Sequence, residues 1–585
     1  MDKKSLLAIV LITIVILTLP YYYNLIYDEP VVDEKETPLV KEETSREPVT
    51  PIRDSIAQPE KTTIPDIVNS ETESEEVSEK PEKNILDADE IKTAEIHTPL
   101  ISAKITSMGG GNFEWWNLNE YDTWEGNSAK IVDGELLQNG IAVTFTTISG
   151  ERVNLGDFNF MLEGSSPQII ELGEEESYTF RYSLEYENTK IQKYVTIFGN
   201  AYHADIDLTI LGASRLFLND DYEMSWVNGL PSNEKNVSED YTYSESYARM
   251  GGELEAFDID SEERVRPVSM NGQTDWIAIR TKYFLSAILP QEVKTSGAIF
   301  AGEGVKIGDV IQRRYTTSII SDLQGESIQD SYRVYMGPLD YSVLSDYENG
   351  LTDLIMNHGW YETTFRPISL LILRVFKFFQ LFIPNYGIVI ILFSILVKIV
   401  VYPLTKKSYK SMKEMSRVQP LLAEIREKYK SDPQRMNKET MKLYKEHGIN
   451  PLGGCLPMLL QLPLLGALFI VFRSTIQLRG ASFIPGWIDD LSSADTIFTL
   501  PFSLPLYGDQ FNILPILMAG TMMFQSKMTM QDPKQKAMVY IMPIFMLLIF
   551  NQFPSGLNLY YTMFNVLTII QQKFTDGTDK TKKNK

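Results

Sequence analysis

The feature that most constrains this chain is a set of long apolar runs that carry almost no charge. Five of them lie in about the last 220 residues, and a sixth follows Lys3 and Lys4 at the N-terminus. A helix needs roughly 20 consecutive apolar residues to cross a bilayer, where only internal hydrogen bonds can satisfy its backbone. We therefore predict six transmembrane helices, at residues 5–23, 386–404, 453–472, 511–526, 537–552 and 556–573.

The basic residues between these predicted spans fall on one side of the membrane. Segment 405–450 holds 12 Lys/Arg against 6 Asp/Glu, segment 527–536 carries three lysines, and the tail 574–585 is basic. Lysine and arginine are enriched in cytoplasmic loops. We therefore predict that both termini, including residues 1–4, lie in the cytoplasm and that the long segment between the first two spans lies outside.

The N-terminal run fits either a signal peptide or an uncleaved anchor. Its length, and the lack of a small-residue cleavage site in "LPYYYN", favour the anchor. Beyond it, residues 28–95 hold 21 Asp/Glu against 8 Lys/Arg and almost no aromatic residues. Such a composition cannot bury enough apolar surface to fold. We predict an acidic, disordered linker over residues 24–95.

Residues 96–341 have the pattern of short strands joined by turns. Stretches such as "YTFRYSLEY" and "ADIDLTIL" alternate apolar and polar residues, and "SMGGGN" and "SNEKN" mark turns. This pattern predicts an antiparallel β-sandwich. The chain has one cysteine, Cys455, so no intramolecular disulfide can form and the domain must rely on an apolar core. Its acidic and aromatic residues allow a sugar-binding site, although scattered aromatics in a sandwich are more often core residues.

Two segments have amphipathic helical texture. Segment 342–385 includes "TTFRPISLLILRVFKFFQLFIPN", which suits a helix lying in the membrane interface. Within 405–450, residues 411–430 and 433–448 predict a helical hairpin broken near Pro433. Its basic residues and methionines suit anionic lipid or a flexible apolar partner. Alternatively, the charges only follow the positive-inside rule and the methionines pack between the two helices.

One charge interrupts a predicted span, at Lys398 in "ILFSILVKIVVYPLT". It precedes Lys406 by eight residues, which places it about 12 Å deeper on a helix, in the cytoplasmic half of the span. Snorkelling of its stem toward the headgroups is one interpretation. A structural ion pair is disfavoured, because none of the six predicted spans contains Asp or Glu. The third interpretation is a hydrated groove open to the cytoplasm.

Other polar residues in the predicted spans could line such a groove with Lys398. Each of them alone is more often an interhelical hydrogen-bonding residue than a functional one. The candidates are Ser394, Gln461, Gln525, Asn558, Tyr561 and Asn565.

The fourth and fifth predicted spans have about sixteen residues each, at or below the lower end of spanning length. Short helices thin the bilayer around them, which lowers the cost of moving polar groups across. The alternative is that the predicted boundaries are a few residues off.

A resemblance to a known family rests on three blocks: "NYGIVIILFSILVKIVVYPLTKKSYKSMKEM", "INPLGGCLPMLLQLPLLGALF" and "FPSGLNLYYTMFNVLTIIQQ". Their order and spacing over about residues 360–573 are similar to those of the YidC-type bacterial membrane protein insertases, which are related to the Oxa and Alb proteins of organelles. The anchor, linker and β domain resemble the Gram-negative form of this family, whose outer domain is a β-supersandwich in the periplasm.

The resemblance implies a polytopic α-helical inner-membrane protein with six transmembrane helices, an inserted all-β periplasmic domain and a cytoplasmic helical hairpin. It implies a non-enzymatic insertase and chaperone for the insertion, folding and assembly of inner-membrane proteins, both independently of Sec and together with the Sec translocon, through a hydrated groove. The implied partners are nascent membrane-protein cargo, the Sec translocon with its accessory subunits, membrane lipids and, as a further candidate, the ribosome. No cofactor, no metal and no nucleic-acid specificity is expected.

The resemblance also assigns roles to single positions. Lys398 stands where the family normally carries an arginine, so the charge is kept but the planar five-donor fork is lost. Ser394 and Tyr561 match groove positions that face the cargo, and Gln461 and Asn565 complete the predicted groove. The third and fifth spans would form an apolar slide for the cargo, and the hairpin 405–450 would receive the incoming chain.

Other function classes fit the sequence less well. A transporter would be expected to show repeated halves, or spans broken by Gly and Pro at matching places, and no such repeat stands out. A receptor would need a cytoplasmic output domain, whereas only a hairpin and a short tail are predicted on that side. A carbohydrate-related role of the outer domain stays open as a secondary function.

Overall fold

A β-rich part and a helical part follow one another along the chain, as the sequence predicts. The computed structural model describes residues 85–86, 90–164, 167–259, 262, 264–308, 310–347, 349–448, 456–529 and 536–583. The predicted anchor, most of the predicted linker and Cys455 lie outside these residues.

Several strands of the β-rich part alternate between buried and less buried side chains, following the apolar pattern of the sequence, whereas others are buried along most of their length. In chain order they are β1 (Ile85–Leu86), β2 (Thr93–His97), β3 (Ile101–Thr106), β4 (Asn112–Asp122), β5 (Ser128–Asp133), β6 (Gly140–Thr146), β7 (Arg152–Asn154), β8 (Met161–Leu162), β9 (Ile169–Glu171), β10 (Ser177–Tyr186), β11 (Thr189–Phe198), β12 (His203–Ile210), β13 (Asp221–Val227), β14 (Glu245–Met250), β15 (Glu253–Phe257), β16 (Arg264–Asn271), β17 (Thr274–Arg280), β18 (Phe284–Gln291), β19 (Thr295–Ile307), β20 (Val310–Asp322) and β21 (Ile328–Pro338).

Three sheets are built from these strands within the described residues. The ten-stranded sheet has the order β1-β10-β11-β12-β21-β18-β17-β14-β15, with β8 beside β10. The six-stranded sheet has the order β16-β19-β20-β13-β6-β7, and the five-stranded sheet the order β5-β4-β3-β2-β9. Pairing is antiparallel except between β2 and β9. Because β2 begins at Thr93 and pairs with both β3 and β9, the predicted linker extends too far, and residues 93–95 belong to the sheet.

Side chains from different sheets meet in the core. The hydroxyls of Tyr222 in β13 and Tyr332 in β21 lie 2.7 Å apart. The indole of Trp116 in β4 donates to the carbonyl of Met336 in β21 at 3.0 Å. All three sheets therefore contribute to this packing, as expected for a sandwich.

The helices and one further hairpin follow mainly after the sheets. They are α1 (Val237–Thr242), α2 (Tyr341–Leu344), α3 (Gly359–Gln380), α4 (Tyr386–Arg417), α5 (Gln419–Lys428), α6 (Pro433–Glu446), α7 (Leu456–Ser474), the strands β22 (Thr496–Leu504) and β23 (Gly508–Asn512), α8 (Leu514–Thr529), α9 (Lys536–Phe550) and α10 (Ser555–Lys583).

Length and composition single out one membrane span among the described helices, at Tyr386–Pro403. Two shorter apolar helical stretches cover Gln461–Ser474 and Val539–Phe550. The count of six spans stays a prediction.

Several helix boundaries differ from the predicted ones, each for a local reason. Residues 511–512 belong to β23, and α8 begins only at Leu514, whose N–H donates to the Asp495 carboxylate at 2.8 Å. In the predicted helical hairpin, α4 continues to Arg417, and a new helix starts with Pro420 in its first turn, where the missing N–H costs nothing. The predicted break before Pro433 is present.

Two further helices shift or run on. Helix α3 spans 359–380 rather than 363–385, and ends before Pro384. Helix α10 continues to Lys583, through most of the predicted tail.

The helical hairpin predicted at 405–450 has a small core of its own. Val418, Leu422 and Leu443 are buried, and Met415 packs against them. Met441 is 52% exposed. Met415 thus fits the interpretation in which methionines pack within the hairpin. Met441 faces outward and fits the interpretation in which they meet lipid or an apolar partner.

Candidate functional site

Lys398 lies at the contact between helices α4 and α10. Its ammonium donates to the hydroxyl of Thr568 at 2.7 Å and sits 4.5 Å from the ring centre of Phe564. The Thr568 hydroxyl donates in turn to the Phe564 carbonyl at 2.7 Å, so its oxygen is free to accept from lysine. One hydroxyl and one ring face on a single turn of α10 therefore fix the position of the charge.

Ser394 lies one turn before Lys398 on the same helix. It is fully buried, and its hydroxyl donates to the carbonyl of Ile390 at 2.8 Å. Serine commonly makes this bond to its own helix backbone. Ser394 therefore lies one turn from Lys398, as predicted for a groove residue, but its hydroxyl is already bonded to the backbone of its own helix.

Tyr561 and Gln461 meet across two helices. Tyr561 on α10 packs edge-to-face on Phe550, with ring centres 5.6 Å apart, and the half-buried Gln461 of α7 lies beside its hydroxyl. Asn565, one turn further along α10, donates to the hydroxyl of Thr521 on α8 at 3.3 Å. These contacts bring Gln461 to Tyr561, whereas Asn565 links α10 to α8.

Thr568 and Phe564 are contacts of Lys398 that sequence reasoning missed. Thr568 follows Tyr561 by seven residues and Asn565 by three, which places all three on one face of α10. Extending the polar face of that helix by one turn would have identified it. Nothing in the sequence marked Phe564 as a contact of Lys398, because a single aromatic residue in an apolar span is common.

A second cluster of charges joins the β-rich part to the helical part. We name Glu234, Glu239, Lys282, Arg473 and Arg479 the interdomain cluster. The Glu239 carboxylate accepts from Lys282 and from Arg473 at 3.0 Å each. Arg479 donates to Glu234 at 2.6 Å. Both arginines follow the predicted third span, so the cluster fastens the C-terminal end of α7 to the β domain.

The two carboxylates of this cluster differ in their electrostatics. Burial alone would raise the pKa of Glu239, but Lys282 and Arg473 outweigh it and hold this pKa at about 2. Burial raises the pKa of Glu234 to about 7 in spite of the neighbouring Arg479. Glu239 is therefore a fixed anion, whereas Glu234 changes its charge near neutral pH.

Comparisons with known proteins cover both parts of the chain. The family model described as "60Kd inner membrane protein" matches residues 378–583, and the model described as "YidC periplasmic domain" matches residues 93–371. A protein of Chlorobium phaeovibrioides named membrane protein insertase YidC is 38% identical over 445 residues, which are 75% of each chain. A protein of Chlorobaculum parvum with the same name is 34% identical over 545 residues, covering 92% of this chain and 91% of the relative.

A search of solved structures adds a more distant match. A crystal structure of an active YidC insertase has 19% sequence identity and a TM-score of 0.35, and the match covers 82% of this chain and 91% of the other.

Proposed function

Because the chain belongs to the YidC family of membrane protein insertases, we propose that it moves segments of other membrane proteins into the inner membrane, with Lys398 contacting the cargo. Members of this family are inner-membrane proteins with a periplasmic domain and act as insertases and chaperones rather than as enzymes. The β-rich part corresponds to that periplasmic domain.

The observation that carries the proposal is the position of the Lys398 ammonium. It lies within the apolar helix Tyr386–Pro403, is only partly enclosed, and is positioned by Thr568 and Phe564. A charged side chain at membrane depth costs several kcal/mol or more unless it reaches water, and usually faces a hydrated cavity or a pathway. The geometry therefore supports a groove that is wet on its cytoplasmic side.

The proposed mechanism lowers the cost of moving a polar tail across the membrane. A carboxylate of the cargo about 4 Å from the ammonium gains about 4 kcal/mol at an effective dielectric constant of about 20. This gain is of the same order as the cost of moving one charge into hydrocarbon. Lysine is a point charge without a fork, so it attracts acidic tails without selecting one geometry. The apolar segment of the cargo then partitions sideways into lipid, at about 25 cal/mol for each Å² that it buries.

The finer topology and the partners belong to the same proposal. Six spans would place both termini and the hairpin formed by α5 and α6 in the cytoplasm, where its basic residues can meet the incoming chain or anionic lipid. Cargo would arrive from a ribosome or through the Sec translocon with its accessory subunits. Ile541 and Ile544 of α9 are exposed and apolar, which suits the proposed slide.

Site-specific photo-crosslinking tests the contact with cargo. A photo-reactive residue replaces Tyr561 or Gln461, and ribosome-bound insertion intermediates are irradiated in native membranes. We expect cargo adducts at both positions. Ser394 is a poor site for the probe, because it is fully buried and a larger side chain would disturb the helix. A matched control is Ile399, which follows Lys398 directly and is 65% exposed on another face of α4. Equal or stronger cargo adducts at Ile399 would contradict the groove.

A further inference from the structure

A β-hairpin with many exposed apolar side chains lies between helices α7 and α8. We call residues 496–512, which comprise β22, β23 and their turn, the outer hairpin. Asp509 is its one charged residue. Phe502 is 57% exposed, and further apolar side chains are about half exposed: Ile497, Phe498 and Leu504. So many exposed apolar groups on one short element indicate an interaction surface.

The outer hairpin is held firmly in place at both ends. Before it, the buried Asp495 carboxylate accepts from the backbone N–H of Ile513 at 3.0 Å and from the indole of Trp487 at 3.3 Å. At the turn, the buried amide of Asn551 donates to the carbonyls of Tyr507 at 2.9 Å and Gln510 at 2.7 Å. The exposed apolar segment therefore lies between two fixed points.

The apolar segment is pushed outward by the strand register. Thr499 pairs with Gln510 and Leu504 pairs with Gly508, so the stretch between Thr499 and Leu504 bulges from the ladder. Leu506, in the turn, has a φ of 67°, a strained conformation for leucine that persists only where the surroundings enforce it. The exposure of Phe502 is therefore built into the fold.

The hairpin continues an apolar surface of two short helices. Helix α8 starts two residues after it, and α9 ends next to Asn551. With 16 and 15 residues, these helices rise about 24 and 22 Å, less than the roughly 30 Å of a hydrocarbon core. Ile516 and Leu517 are exposed on the first turn of α8, directly beside the hairpin.

We propose that the outer hairpin inserts into the periplasmic leaflet, with Phe498, Phe502 and Leu504 among the acyl chains near the headgroups. It fills on the outer side the apolar thickness that α8 and α9 leave uncovered, so thinning of the bilayer is confined to the cytoplasmic side. Continuity with Ile516 and Leu517 and the nearly uncharged sequence favour lipid over a protein partner. This inference rests on the proposed topology, in which the α7–α8 connection lies outside.

Fluorescence quenching by lipids tests this directly in the full chain. Starting from a Cys455→Ser background, Phe502→Cys is labelled with an environment-sensitive fluorophore and the protein is reconstituted into phosphatidylethanolamine/phosphatidylglycerol vesicles. We expect blue-shifted emission and strong quenching by lipids that carry a nitroxide near the headgroup end of the acyl chain. Leu136→Cys, on the β domain and 82% exposed, should show water-like emission and several-fold less quenching.

A second labelled position separates failure of this inference from failure of the proposed topology. Ile388→Cys lies on the outer turn of α4 with its side chain exposed, at the depth expected for the hairpin. Quenching at Ile388 without quenching at Phe502 would overturn the hairpin inference alone. The hairpin inference fails in that case whether the emission of the Phe502 label is water-like or is blue-shifted by contact with protein. No quenching at Ile388 would overturn the topology, and the hairpin inference with it. No cargo takes part, so the result at Phe502 leaves the proposed contact between Lys398 and cargo to the crosslinking experiment.

Discussion

Lys398 and Arg473 are both cations on apolar helices, but the fold surrounds them in opposite ways. Arg473 binds the Glu239 carboxylate, which Lys282 shares, and its guanidinium lies 5.4 Å from the ring centre of Tyr243. Lys398 is positioned by a hydroxyl and a ring, and the predicted spans contain no Asp or Glu to neutralise it. A carboxylate cancels charge, whereas a hydroxyl and a ring only orient it. The first arrangement suits a fixed joint and the second suits attraction of a moving anion.

The largest expected effect comes from removing Arg473 from the interdomain cluster. Arg473→Met keeps an apolar stem over Tyr243 but removes one of the two cations that bind the Glu239 carboxylate. Removing one partner of a buried ion pair typically costs about 3–5 kcal/mol. We expect a marked drop in the thermal unfolding midpoint in detergent and faster proteolytic release of the β domain. Arg152→Met is the matched control, since Arg152 pairs with Glu223 at the surface and such pairs contribute about 0–1 kcal/mol. Similar unfolding of both variants would contradict a structural role for the cluster.

The interdomain cluster also shows the limit of sequence reasoning. Alternation predicted the strands, because burial of every second residue is a local property, and the lysine was visible because a single charge stands out in an apolar run. Arg473 and Glu239 are 234 residues apart, and Arg479 and Glu234 are 245 apart. No local pattern connects residues at such separations, and each of these charges by itself resembles an ordinary surface residue.

The outer hairpin was missed for a different reason. Its sequence "TIFTLPFSLPLYGDQF" is apolar but broken by two prolines, so it fitted neither a span nor an alternating strand. Asp495, Asn512 and Asn551 hold it in place, through bonds to backbone groups. Those bonds depend on the helix ends being in place, which the sequence alone does not specify.

The next effect is a difference between the two glutamates of the interdomain cluster in how their contributions to stability depend on pH. Folding lowers the pKa of Glu239 from its usual 4.5 to about 2, so its contribution is present above pH 4.5 and is lost as the pH falls to about 2. Folding raises the pKa of Glu234 to about 7, so its contribution is present below pH 4.5 and is lost as the pH rises to about 7. Each shift corresponds to about 3 kcal/mol.

Two variants separate these contributions. Glu239→Gln should destabilise the protein at pH 7 and flatten the loss of stability below pH 4.5. Glu234→Gln should leave the protein at least as stable as the original at pH 8 and flatten the dependence between pH 4.5 and 7. Unfolding midpoints measured from pH 2 to 8 for each variant decide the matter. Identical profiles for the two variants would contradict the assigned difference.

Reversing the charge of Lys398 tests the other side of the comparison. Lys398→Glu should reduce insertion of acidic-tailed cargo by about tenfold or more, since a loss of about 1.4 kcal/mol already gives that factor. Lys398→Arg should stay close to the original, and Lys398→Met should fall between them. Insertion into vesicles that hold only this protein is the measurement, and a neutral-tailed cargo is the control. Equal activity of all variants would contradict a role for this charge in insertion and favour the interpretation that Lys398 only snorkels toward the headgroups.

The smallest expected effect concerns the group that orients the lysine. Thr568→Val removes the hydroxyl acceptor of Lys398 but keeps nearly the same shape, and loss of one hydrogen bond of this kind costs about 1 kcal/mol. The ammonium keeps its charge but loses its position, so acidic-tailed cargo should insert a few-fold more slowly while neutral-tailed cargo is unaffected. Thr562→Val is the matched control, because the Thr562 hydroxyl donates to the backbone carbonyl of Asn558 at 2.8 Å, within its own helix. If Thr568→Val slowed both cargoes equally, Thr568 would be a packing residue, and the orientation of Lys398 would not matter for its task.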